Sequence, residues 1–165
     1  MRKNFLLLLL AAMFTMVSCE TDKTQTPREV DPFLLSLQGT WGRYKLLHYD
    51  KEWKEVVLVL IENGDCLLDG MGHKLYTFNA DGTITYYLEV CYSDEPFVAT
   101  RLCFYDPESR IITVKNDKGV IHYEYLVSDY DGEYLTLDYT EHLYDSYTDE
   151  HTYKYVRETL KRRQE

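Results

Sequence analysis

Two histidines lie in one acidic segment near the end of the chain. His142 and His151 are accompanied by four carboxylates between residues 141 and 151. Imidazole and carboxylate groups together are ligands for a divalent cation. No compact ligand spacing is repeated in the segment, however, and a solvated acidic loop has the same composition. We therefore expect a loop and no metal site.

Two other features have side chains that suit chemistry. Glu89 and Arg101 share the outward phase of neighbouring strands if the turn between them centres on Glu95, which predicts an exposed cross-strand ion pair. Arg43 follows Trp41 by two residues, and pointing inward it would be a handle for an anion. The motifs of serine hydrolases, zinc proteases and phosphate loops are absent from the sequence, so we expect no enzyme and no cofactor.

Three cysteines, Cys66, Cys91 and Cys103, lie in the part of the chain expected to fold. Cys91 and Cys103 flank one predicted hairpin, and a disulfide would need their Cα atoms about 5.5 Å apart. The register that pairs Glu89 with Arg101 does not place the two cysteines opposite each other. We favour free thiols, and the disulfide remains the alternative.

The first 19 residues have the layout of an export signal. Arg2 and Lys3 precede an apolar stretch from Phe5 to Val17, which is too short to cross a bilayer and predicts a signal peptide over residues 1–18. The sequence Met16-Val17-Ser18-Cys19 resembles a bacterial lipobox. The resemblance implies that acyl chains such as palmitate on Cys19 anchor the mature protein to a membrane. An ordinary secretory signal that is cut elsewhere is the alternative.

Residues 19–31 are mostly polar, with only Val30 to bury, and predict a flexible linker behind Cys19. The acids Glu20 and Asp22 resemble the sorting tails of lipoproteins on Bacteroides-type cells. We expect a location in the cell envelope, as an outer-membrane lipoprotein that is either periplasmic or surface-exposed. The formal net charge of −10 would repel phosphate backbones, so nucleic acid is not an expected partner.

A short helix should open the folded domain, with Asp31 as its N-cap, Pro32 at its first position and Gly39 at its end. Period-two alternation with frequent turn residues follows and predicts antiparallel strands. These strands start at Thr40 and lie over 74–78, 83–92, 97–105, 110–115, 120–128, 133–139 and 152–156.

Eight strands joined by short connections favour a closed up-and-down barrel, because closure removes the sheet edges. The apolar run over residues 56–61 is either a ninth strand or a buried segment crossing the barrel mouth, and we expect a strand. The predicted fold class is therefore all-β, with the barrel domain over 32–157 and a polar tail over 158–165.

Two short motifs link the ends of this predicted barrel. Gly39-Thr40-Trp41 at the first strand is similar to the Gly-x-Trp signature of lipocalins, and residues 153–157 look like its partner element. The chain from 37 to 157 thus resembles the lipocalin-like domain of Bacteroides-type bacterial lipoproteins. The resemblance implies that the guanidinium of Arg157 lies across the indole of Trp41.

The apolar phases of the strands predict a lumen rich in tyrosine. An eight-stranded barrel is wide enough either to be filled by its own side chains or to hold one small ligand. Phenols suit an amphipathic or aromatic guest, so we expect a membrane-anchored binding protein. A filled barrel that docks an envelope protein partner is the second hypothesis, and a barrel enzyme with a buried Arg or Glu is the third. The candidate ligand contacts are Tyr86, Phe104, Tyr123, Tyr125 and Tyr153.

Overall fold

One short helix and ten strands form the part of the chain that the computed structural model describes, namely residues 28–62, 65–66, 74–89, 95–145 and 150–164. The elements are α1 (Pro32–Ser36), β1 (Gly39–Tyr49), β2 (Val56–Glu62), β3 (Asp65–Cys66), β4 (Lys74–Phe78), β5 (Thr83–Leu88), β6 (Phe97–Asp106), β7 (Ile111–Lys115), β8 (Ile121–Tyr130), β9 (Tyr134–Asp145) and β10 (Glu150–Arg162).

Eight of these strands close into an antiparallel barrel, as predicted. Strands β4 to β10 pair in chain order. The first residues of β1 pair with β4, and most of β1 also pairs with β10, which closes the barrel. The turns joining β4 to β5, β6 to β7 and β8 to β9 lie at the same end as α1, which we call the lower end. We call the opposite end of the barrel the upper end.

Helix α1 covers the lower end of the barrel. Asp31 is its N-cap, as predicted, but the helix ends at Ser36 with Leu37 as its C-cap, and Gly39 is already the first residue of β1. The Asp31 carboxylate accepts a hydrogen bond from the Phe33 N–H at 2.7 Å, which satisfies a donor that the helix itself leaves unpaired. Leu34 and Leu37 are buried, and the carbonyl of Leu37 accepts the Trp41 indole N–H at 2.7 Å. The helix is therefore tied both to the core and to the first strand.

The segment over residues 56–61 is a strand, as expected, and it lies outside the closed barrel. β2 pairs with the second half of β1, where β4 no longer reaches, and β2 pairs in turn with the two-residue β3. A register shift between Arg43 and Lys45 marks an irregularity in the pairing of β1 with β10. The upper part of β1 therefore pairs with β10 on one side and with β2 on the other.

The inward face of β6 is the reverse of the prediction. The sequence predicts that Phe104 faces the lumen, but the register pairs Arg101 with Ile84, whose side chain is buried inside. Cys103 accordingly is buried, and Leu102 is exposed. Both phases of β6 carry hydrophobic residues, so alternation alone does not identify the inner one.

The same register shows that the predicted ion pair between Glu89 and Arg101 is wrong. Arg101 lies opposite Ile84, five residues before Glu89, because the β5–β6 connection is longer than a tight turn around Glu95. The Arg101 guanidinium instead lies 3.8 Å from the carboxylate of Asp117, in the turn between β7 and β8.

Both ends of the predicted domain need correction. β10 continues to Arg162, so residues 158–162 are strand and not tail, and Glu158 and Leu160 are fully buried. At the other end, Arg28 and Val30 belong to the predicted linker but contact the barrel. Val30 packs against the core, and a guanidinium N–H of Arg28 donates to the carbonyl of Cys103.

Candidate functional site

Three of the five predicted ligand contacts meet inside the upper half of the barrel. The rings of Tyr123 and Tyr125 are stacked with their centroids 5.6 Å apart, and the Tyr86 ring lies 6.1 Å from that of Tyr123. The hydroxyls of Tyr86 and Tyr125 are 3.4 Å apart. Tyr125 is buried whereas Tyr123 is 37% exposed, so this tyrosine cluster reaches from the core towards the upper opening.

The other two predicted contacts lie on the outside of the barrel. Phe104 shares the outward phase of β6, where the guanidinium of Arg28 lies 3.8 Å from its ring centroid. Tyr153 is 64% exposed, because Val156 is buried and strand alternation turns residue 153 outward. Phe104 and Tyr153 are therefore wrong as lumen contacts.

The expected contact between Arg157 and the indole of Trp41 is wrong, because another arginine of β10 occupies that position. Gly39 has a φ of +119° and leads the chain from the helix into β1, and Trp41 is fully buried. The register of β1 with β10 places Trp41 opposite Arg162, whose guanidinium lies 4.4 Å from the indole centroid. Arg157 lies opposite Leu47, near the other end of β1.

Arg162 does more than cover the indole. Its guanidinium donates to the carbonyls of Ser36 and Gln38, each at 2.7 Å, and to the carbonyl of Gly132 at 3.0 Å. These acceptors belong to the last residue of α1, to the residue just before β1 and to the β8–β9 turn. One side chain thus holds together the elements that close the lower end.

A buried charge network in the lumen lies beside the tyrosine cluster. The fully buried carboxylate of Glu158 accepts from Arg43 at 2.5 Å and from the hydroxyls of Tyr76 at 2.6 Å and Tyr139 at 3.1 Å. The sequence alone leaves the orientation of Arg43 open and places Glu158 in the predicted tail. The alternation Val156, Glu158, Leu160 is the signal that β10 continues.

Glu158 is ionised within this network. Burial alone raises the pKa of a carboxyl, but Arg43 and Lys74 and the hydrogen bond from Tyr76 outweigh it and hold the pKa of Glu158 below its ordinary value. A carboxylate with three donors is a weak base. Because the carboxylate is fully buried and bonded to side chains of β1, β4 and β9, the network fixes these strands to β10.

Further charged groups line the lumen above Glu158. Lys74 lies with its ammonium 4.9 Å from the Tyr76 ring centroid, and burial lowers the pKa of Lys74 although Glu158 opposes this effect. Lys154 on β10 lies opposite Glu141 on β9 in the strand register, on the lumen-facing phase that also carries Val156 and Glu158. Burial and the charge of Lys154 lower the pKa of His48. The upper lumen therefore combines phenol rings with charges of both signs.

One cysteine side chain, that of Cys103, is described in the structure. Cys103 is a free thiol, and burial raises its pKa to about 12, which keeps it protonated at neutral pH. Cys91, Cys19 and the side chains of His142 and His151 lie outside the part whose side chains are described. Within that part, no group of three or more His, Cys, Asp or Glu side chains is placed to hold a metal ion.

Comparison with known proteins assigns no family to the chain. No model of a protein family matches the chain, and no curated protein matches it either. Among the described residues, no helix is both long and apolar enough to cross a bilayer.

Proposed function

We propose that the protein is a membrane-anchored lipoprotein whose lipocalin-like barrel binds a small amphipathic or aromatic molecule at the cell envelope. The observation that carries the binding proposal is the tyrosine cluster of Tyr86, Tyr123 and Tyr125 beside charged groups in one end of a closed barrel. The anchor is supported by the signal-like residues 1–18 and by Cys19.

The cluster is suited to a guest with a flat apolar body and a polar end. Tyr123, which is 37% exposed, offers a ring face and a hydroxyl that can pair with a polar edge, and the buried Tyr125 and Tyr86 support it from the core side. Lys74 and Glu141 lie in the same upper half and would meet the charged or hydroxylated end of the guest. An amphipathic molecule uses both kinds of contact, whereas an alkane would leave the charges without partners.

The test uses N-phenyl-1-naphthylamine, an aromatic probe whose fluorescence rises in an apolar environment, with the chain after removal of residues 1–18. We expect saturable binding that Tyr123→Ala weakens about fivefold to tenfold through the loss of a stacking partner. Tyr153→Ala is the matched control, because this tyrosine lies towards the same end of the barrel but faces outward. Equal affinity of the two variants, or no saturable binding, would contradict a lumen site.

The upper end also supports the second candidate, a module that docks an envelope protein. Several hydrophobic side chains near this end are between 42% and 61% exposed. They are Val56, Val57, Phe97, Val98, Val120 and Ile121. If this rim is an interface, a photo-crosslinking residue at Ile121 should yield one discrete adduct in cells, and the same residue at Lys118 in the neighbouring turn should not.

A further inference from the structure

A groove of about 400 Å³ lies on the outer face of the barrel, over strands β7 to β10. Its floor includes Asp138, Thr140 and Arg157, and Leu126 belongs to one wall. Strand pairing places Leu126 opposite Asp138 and Asp138 opposite Arg157, all on the phase that faces away from the lumen. The groove is therefore separate from the tyrosine cluster.

The other wall is Trp53, which the loop between β1 and β2 holds in an unusual backbone conformation. Its backbone φ is +60°, in the left-handed region that residues other than glycine rarely adopt. The Asp50 carboxylate accepts from the N–H groups of Glu52 and Lys54, and the Asp50 carbonyl accepts from the Trp53 N–H. These bonds fix the loop that imposes the conformation.

The indole of Trp53 rests on two outward-facing tyrosines. Its ring centroid is 5.7 Å from that of Tyr49 and 5.5 Å from that of Tyr155. A strained backbone conformation that surrounding contacts stabilise is typical of functional sites, because those contacts have to offset the strain. The result is a fixed aromatic wall beside the groove.

The floor of the groove carries a planar, nearly neutral pair of charges. The Asp138 carboxylate accepts two hydrogen bonds from Arg157, from Nε and Nη2, each at 2.7 Å. Asp138 is only 9% exposed although it faces outward. Arg157 has five N–H donors and the carboxylate has about four lone-pair positions, so this fork has donors and acceptors beyond the two shared bonds.

We propose that this groove binds a neutral pyranose sugar as part of a short saccharide. A pyranose has a C–H face that stacks on an indole and a rim of hydroxyls that both donate and accept, which matches Trp53 and the Asp138–Arg157 fork. The volume lies in the range of about 300 to 1,000 Å³ found for ligand pockets. The inference does not depend on what the lumen binds.

Other ligand classes fit this groove less well. An anion would meet a guanidinium already neutralised by Asp138, the nearby Glu124, and a chain of net charge −10. A wholly apolar ligand would cover the charged fork without pairing its remaining donors and acceptors. A neutral polyol meets neither obstacle.

The test is saturation-transfer NMR and calorimetry with the chain lacking residues 1–18, using trisaccharides of glucose, galactose, mannose and N-acetylglucosamine. We expect at least one of the trisaccharides to bind, with an affinity that changes little between about 50 and about 500 mM salt. Trp53→Asn should weaken that binding at least tenfold. Asparagine tolerates positive φ, so this variant removes the indole while the loop conformation is kept.

Two further variants complete the design. Asp138→Asn should also weaken binding, because it loosens the guanidinium, whereas Phe97→Ala removes an exposed aromatic outside the groove and should not. Thermal unfolding of each variant establishes that it is folded. The proposal is overturned if no trisaccharide binds at about 10 mM, if Trp53→Asn binds as the unaltered protein does, or if salt abolishes binding.

Discussion

At the scale of the residue, Glu158 is the clearest case of a side chain whose removal should cost stability. It is fully buried, and its partner Arg43 is only 9% exposed. We expect Glu158→Gln to lower the free energy of unfolding by about 3 to 5 kcal/mol, because Arg43 would remain buried without a counter-charge. Urea unfolding at neutral pH measures the change. Glu108→Gln, in an exposed turn, is the control and should have little effect.

The pH dependence of stability gives a second readout of the same network. The groups that face Glu158 are Arg43, Lys74, Tyr76 and Tyr139. Because the pKa of Glu158 is lower in the folded protein than its ordinary 4.5, the unfolded chain takes up the proton first as the pH falls. Its stabilising effect is therefore complete above about pH 4.5 and is lost as the pH falls through the lower folded value.

Comparing the unaltered protein with the Glu158→Gln protein isolates the contribution of Glu158 to the pH dependence of stability. Other groups with lowered pKa values, such as His48, Asp81 and Asp106, titrate in both. The unaltered protein should consequently lose more stability than Glu158→Gln between about pH 5 and about pH 3. Parallel curves for the two proteins over that interval would show that the carboxylate does not carry a lowered pKa.

At the scale of the element, the closure of the lower end depends on Arg162 and not on Arg157. Arg162→Ala should lower the free energy of unfolding by about 2 to 4 kcal/mol, since it removes three hydrogen bonds to carbonyls and the contact with Trp41. Urea unfolding measures this change. Lys161→Ala, one residue earlier on the outer face, is the matched control and should change the midpoint little.

Arg162→Lys gives a sharper version of this test. Lysine keeps the charge but cannot present a planar fork to several carbonyls, so it should recover only part of the lost stability. Full recovery would mean that charge alone matters at this position. An Arg162→Ala protein as stable as the control would contradict the assignment of Arg162 as the residue that ties α1 to β10.

The elements also differ in how far sequence could predict them. The turn signals at 79–82 and 116–119 and the N-cap Asp31 are local, and the structure confirms both turns and the start of α1. The inward faces of β6 and β10 depend on pairing with distant strands. Phe104 and Cys103 are both hydrophobic, so only the register with β5 decides between them. From its charge alone, Glu158 is predicted to be exposed, and only the fold brings Arg43 beside it as a buried partner.

At the scale of the whole molecule, the two ends of the barrel differ in character. The described chain enters at the lower end, where Val30 packs on the core and α1 closes the barrel. The tyrosine cluster and the hydrophobic rim lie towards the upper end. If Cys19 carries lipid, only residues 20–27 separate the anchor from the described chain at the lower end, which would place the closed end towards the membrane and the upper end away from it.

That orientation rests on the anchor, which a single substitution tests. Cys19→Ala should move the protein from the membrane fraction to the soluble fraction, because two or three acyl chains hold a protein on a bilayer nearly permanently and the linker alone does not. Cys66→Ala keeps the predicted lipobox and should remain in the membrane fraction. Mass spectrometry of the purified unaltered protein should show an N-terminal residue 19 carrying acyl chains. A Cys19→Ala protein that stays with membranes would refute the lipid anchor and leave the hydrophobic rim as the surface that holds it there.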